Sequence, residues 1–96
     1  MNLAEFIDKT LQIQKICGWL YKPVELRDLY NAPDTISIDC HIHKHAPKNH
    51  TEILHAVDHL FGDALRSAAV TANPHESLES THRLILNIKY KEAQTA

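Results

Sequence analysis

The chain has 96 residues, 44% of them hydrophobic and 23% charged, with a formal charge of −2 when histidine is neutral. A length of this order holds one core and two layers of secondary structure. It excludes a barrel enzyme, and the near-neutral charge argues against a strongly basic nucleic-acid binder. Eight histidines make that charge depend on acidity. Each titrates near neutrality, so a mildly acidic protein turns net positive towards about pH 6.

Residues 1–96 read as a single domain, with an N-terminal helix over 1–21, a sheet-plus-helix core over 22–91 and a frayed tail over 92–96. The start, MNLAEFID, carries Glu5 and Asp8 and lacks a cationic stretch followed by an apolar run, so no signal peptide is expected. No apolar run reaches membrane-spanning length. Cys17 and Cys40 sit among apolar neighbours, which favours buried thiols in a reducing cytoplasm; a single disulfide is the alternative.

Asn2 to about Leu20 has the pattern of an amphipathic helix. Asn2 and Glu5 have capping-box spacing, and Leu3, Phe6, Ile7, Leu11, Ile13, Ile16, Cys17 and Leu20 form a wide apolar stripe. Gly18 is a plausible stop, with Trp19–Tyr21 as a further turn before Pro23. Val24–Tyr30 suits either a short helix or a strand. The strand is preferred, joined to Ile36 through the turn Asn31-Ala32-Pro33-Asp34, because the next segment needs a partner.

Thr35 to about His45 alternates cleanly. Ile36, Ile38, Cys40 and Ile42 share one face, and Ser37, Asp39, His41, His43 and His45 share the other. Pro47 ends this strand. Asn49 and Glu52 repeat the capping spacing and open a helix to Phe61, stopped by Gly62, with Ile53, Leu54, Val57, Leu60 and Phe61 as its core side. Leu65–Asn73 is a weaker strand of small residues, and Asn73-Pro74-His75-Glu76 is a turn signal. Ser80–Lys91 is a second clear strand, with Leu84, Leu86, Ile88 and Tyr90 opposed to Arg83, Ile85, Asn87 and Lys89.

The expected fold is therefore α+β and two-layered: a mostly antiparallel sheet with helices on one face, in the order α-β-β-α-β-β. The other face would carry the histidines together with Arg83, Lys89 and Lys91.

Asp39-Cys40-His41-Ile42-His43 resembles the D-x-H-x-H opening of amidohydrolases, where a strand presents two histidines to a catalytic metal. That family is built on a barrel of roughly 200 residues or more, which this chain cannot form. His41, His43 and His45 would stand about 7 Å apart along one face, and His55 and His59 have the i, i+4 spacing of a helical ligand pair. Both are zinc-compatible, with Asp39 or Asp58 as a further ligand, but a helix on the apolar face puts the two sets on opposite sides of the sheet. No cofactor is therefore expected, with zinc at His41, His43, His45, His55 and His59 as the alternative. Cys40 and His41 point to opposite faces and cannot form a thiolate pair. With two glycines, no phosphate-binding or nucleophile-elbow motif fits. No aromatic residue falls on the face with Arg83 and Lys89 to stack bases, so nucleic acid is disfavoured.

The element order over residues 20–91, with VELRDLYNAPDTISIDCHIH followed by a helix ending His59-Leu60-Phe61-Gly62 and a closing hairpin, resembles small proteins of tailed phages and other mobile elements. The resemblance implies a non-enzymatic accessory factor that binds a large complex by surface complementarity, such as a stoichiometric inhibitor of a host defence system of the anti-CRISPR type. The expected function is thus a protein-binding module, with a histidine-rich metal binder or a nucleic-acid accessory domain as alternatives. The expected contact surface is His41, His43, His45, Arg83, Lys89 and Trp19. A homodimer through a strand edge or the open face is a simple use of the same architecture.

Overall fold

The computed structural model describes residues 2–46, 49–72 and 80–90, with the side chains of all of these except Ser80 and Thr81. Helix α1 spans Leu3–Cys17. Asn2 caps it by accepting a hydrogen bond from the Glu5 backbone N–H at 2.8 Å, and Gly18, at φ 84°, ends it. Positive φ costs glycine nothing, so the chain turns sharply there and the helix does not run on to Leu20. Instead Leu20 bridges Ile42 antiparallel, with the Tyr21 N–H donating to the His41 carbonyl and the His43 N–H to the Trp19 carbonyl, both at 2.8 Å.

Strand β1 is Glu25–Leu29 and β2 is Ala32–His43. The segment after Pro23 is thus a strand, but its turn is Tyr30-Asn31, and β2 starts at Ala32 rather than Thr35. Register explains how Pro33 is tolerated inside β2. Pairing jumps from Asp28–Ile36 to Leu29–Ala32, so no β1 hydrogen bond is asked of the proline. At its other end β2 stops at His43, before the expected His45, one residue after the register with β4 shifts between Ile42 and His43, which pairs with Ser80.

Helix α2, His50–Phe61, is capped by the Asn49 side chain accepting from the Glu52 N–H at 2.8 Å. Gly62, at φ 55°, closes it and leads through a short 3-10 turn over Gly62–Ala64 into β3, Leu65–Ala72. Strand β4 is Ser80–Lys89. Pro47, the turn Asn73-Pro74-His75-Glu76, Lys91 and the tail 92–96 lie outside the described residues.

The four strands order as β1-β2-β4-β3, every neighbour antiparallel, with β1 and β3 at the edges. Both helices lie on one face. The core joins Phe6, Ile13 and Cys17 of α1, Ile53, Val57 and Phe61 of α2, and the inward residues Ile38, Cys40, Ile42, Leu84, Leu86 and Ile88 of β2 and β4. Each such side chain contributes about 1.5–3 kcal/mol when fully buried, which is how two amphipathic stripes and two period-2 strands specify one arrangement. Helix α2 lies against β3, and Lys9 of α1 donates to the Leu60 carbonyl at 2.7 Å, so the opposite flank of α1 looks towards β1. No helix among the described residues is long and apolar enough to cross a membrane.

Candidate functional site

The face of the sheet without helices is built by alternation. Glu25 and Arg27 of β1, Ser37, Asp39 and His41 of β2, and Arg83, Ile85, Asn87 and Lys89 of β4 occupy it in register. At its centre Asp39, only 4% exposed, receives two hydrogen bonds from the Arg83 guanidinium, one of them Nε to Oδ1 at 3.1 Å. A bidentate, partly buried pair of this kind is the strong form of an ion pair. Glu25 sits opposite Asp39 in the register and is held by Lys22 at 2.8 Å and Arg27 at 3.3 Å. Hydrogen bonds from Lys22 and Arg27 hold the Glu25 carboxyl below its ordinary range.

His41 completes the group. Its Nε2 stands 3.9 Å from Glu25 Oε1 and 4.0 Å from Asp39 Oδ1. Partial burial, reinforced by Lys22, pushes its pKa below the ordinary histidine value despite the two carboxylates nearby.

The expected three-histidine ladder is not formed. His41 lies on the open face, but His43 is 6% exposed and stacked under the Trp19 indole at 3.7 Å with the rings within 2° of parallel. Its Nδ1 accepts the backbone N–H of His45 at 3.1 Å. His45, past the end of β2, is exposed at the rim, 5.5 Å from His43 between ring centres. The cause is the chain reversal at Gly18, which lays Trp19–Tyr21 alongside the last residues of β2. Trp19 is therefore half exposed and at the same time covers His43.

The helical histidines are elsewhere. His55 and His59 are exposed on α2, across the sheet from His41, so the two expected ligand sets do not converge. His50 instead meets His82 edge-on at 4.3 Å. The ligand atoms of Glu25, Asp39 and His41 do lie within 4.8 Å of one another, a trio that could hold a metal ion. Of the three, Glu25 is the one that sequence pattern does not mark; its position opposite Asp39 follows from the hairpin register, which a turn placed at Asn31–Asp34 misses. Cys17 and Cys40 are both buried, and burial raises the Cys40 thiol far above the ordinary cysteine range, which makes it inert.

No family model, curated protein or solved structure matches the chain.

Proposed function

We propose that the open sheet face docks a protein partner bearing acidic side chains, and that the chain acts as a small non-enzymatic binding module. One observation carries this reading. Lys22, Arg27, Arg83 and Lys89 stand against Glu25 and Asp39, a local surplus of positive charge in a chain whose formal charge is −2. The ion pair of Asp34 with Arg66 leaves that surplus unchanged. Charge segregated against the net sign steers encounter with an acidic surface. Trp19 at the rim, 50% exposed and held rigid by its stack on His43, has the character of an interface anchor.

Two carboxylates in the middle of the face oppose a phosphate backbone, and the inner face of Trp19 is taken by His43, so protein suits this surface better than nucleic acid. A stoichiometric inhibitor of a bacterial defence complex, working in the cytoplasm, is the specific form of this reading that the resemblance over residues 20–91 supports.

The test is capture from a bacterial lysate at low salt by the wild-type chain, Trp19→Ala and Lys89→Glu. A stoichiometric partner retained by the wild type after nuclease treatment and lost by both variants supports the reading. Equal retention by all three, or a signal abolished by nuclease, overturns it.

A second reading is zinc at Glu25, Asp39 and His41, favoured by their convergence. Lys22, Arg27 and Arg83 already neutralise both carboxylates, so zinc has to displace or share these cations. Zinc calorimetry decides it: on this reading, heat seen with the wild type disappears in His41→Ala.

A further inference from the structure

We propose that the chain pairs with a second copy of itself through the β1 edge, with the two α1 helices closing over the seam. This goes beyond the open-face reading: it uses Leu3, Ile7 and Leu11 of α1 and the main-chain edge of β1, and shares Glu25 and Arg27 with that face.

The inference starts from three exposed apolar side chains at helical spacing. Leu3, Ile7 and Leu11 of α1 are 60%, 50% and 61% exposed. They share one flank of the helix, turned away from the Lys9 contact to α2. That flank faces β1, because Gln14, which belongs to it, borders a groove lined by Leu20, Tyr21, Lys22 and Pro23, the segment leading into β1. Beneath it Leu26, paired with the core residue Ile38 and so on the helix side of the sheet, is 49% exposed. One side of the molecule is thus apolar in both layers, and its sheet layer ends in a strand edge that pairs with no other strand among the described residues.

The sequence of β1 identifies the occupant. If β1 meets β1 of a second copy antiparallel about a two-fold axis at Leu26, Leu26 lies opposite Leu26 of that copy. Glu25 then lies opposite Arg27, and Arg27 opposite Glu25. Charge complementarity is reciprocal, as an isologous interface requires. Arg27 is free to make the exchange: its side chain is 63% exposed and its present contact to Glu25 is 3.3 Å long. Val24 meets Asp28, and Pro23, which has no N–H to offer, limits the paired stretch. So short a ladder needs apolar area beside it. The same two-fold turns the α1 helices antiparallel and brings their Leu3–Ile7–Leu11 flanks towards each other over Leu26. The joined sheet would run continuously through both copies, with all helices on one side and both open faces on the other.

The test is sedimentation at micromolar concentration. The wild type is expected to be dimeric. Arg27→Glu and Glu25→Arg, which place like charges opposite each other, should each weaken self-association about tenfold or more. Mixed in equal amounts they should dimerise as the wild type does, because positions 25 and 27 are then both acidic in one chain and both basic in the other. Ile7→Lys, an exposed position outside the core, should give monomers without loss of helical circular dichroism, and Lys89→Glu should leave the dimer intact. A wild type that sediments as a monomer, a dimer indifferent to these β1 and α1 changes, or folded single variants that fail to pair on mixing would each overturn the proposal. Since Lys89→Glu spares this interface and Ile7→Lys spares the open face, the two readings fail separately.

Discussion

The two flanks of this fold are made from similar parts and end differently. On the α2 and β3 side, Ile53, Val57 and Phe61 are buried and Leu54 and Leu60 are partly covered, so the apolar stripe is used up within the chain. On the α1 and β1 side the stripe is wider than the contact it makes: Phe6, Ile13 and Cys17 are buried, while Leu3, Ile7 and Leu11 remain in water with Leu26 below them. Both helices have an Asn cap, an acidic first turn and a glycine stop. Local helix chemistry therefore does not distinguish them. The width of the stripe does, and a stripe broader than the internal core marks a surface meant for something else.

The largest expected effect sharpens this contrast. Ile53→Ala, at a fully buried position of α2, should cost about 2–5 kcal/mol in urea unfolding. Ile7→Ala, read at a concentration where the chain is monomeric, should stay within about 0.5 kcal/mol. Equal losses would mean that the α1 flank belongs to the monomer core and that the two sides do not differ.

The second effect concerns the sheet. Asp39→Ala leaves the Arg83 guanidinium without its bidentate partner in a partly buried position, and should cost about 2 kcal/mol. Glu25→Gln, on the same face but in a solvent-accessible network with Lys22 and Arg27, should lower the unfolding midpoint only slightly. A smaller effect than that of Asp39→Ala concerns the helix starts. Asn49→Ala and Asn2→Ala, which remove equivalent caps at 2.8 Å, should each cost about 1 kcal/mol.

Most of the core could be read from alternation alone. Ile38, Cys40 and Ile42 against Leu84, Leu86 and Ile88 is a period-2 pattern on two strands, and it placed them on one face together and facing the helices. Both capping boxes were equally legible, since the residues that make them are three apart. The site was legible only in part. Arg83 and His41 fell on the right face, but the burial of Asp39 depends on Arg83 from a strand 44 residues away. The position of His43 depends on Gly18 reversing the chain so that Trp19 covers it. Alternation says which side a residue takes and nothing about which distant side chain lies over it, so an apparent row of three histidines became one buried ring, one rim residue and one member of a charge network.

The smallest predicted effect is the pH dependence set by that last member. His41 is held below the ordinary value of 6.5, first by burial and then by Lys22 and Arg83, against the opposing pull of Asp39 and Glu25. Above that value His41 is neutral in folded and unfolded chains alike and contributes no pH dependence. Between it and the lower folded value, the unfolded chain binds a proton that the folded chain does not, so stability falls as pH falls and levels off once both states are protonated. Glu25 also loses stability with acid, being held low by Lys22 and Arg27, but only below its ordinary 4.5. Comparing the wild type with His41→Gln above that limit isolates the histidine, because the other ionisable groups are common to both chains. The midpoint of His41→Gln should gain on the wild type as pH drops from about 7 to about 5. A variant that instead loses ground to the wild type over this range would mean that the carboxylates outweigh burial and that protonated His41 is an attractive partner for them, shifting the balance of the open face from Lys22 and Arg83 towards the histidine itself.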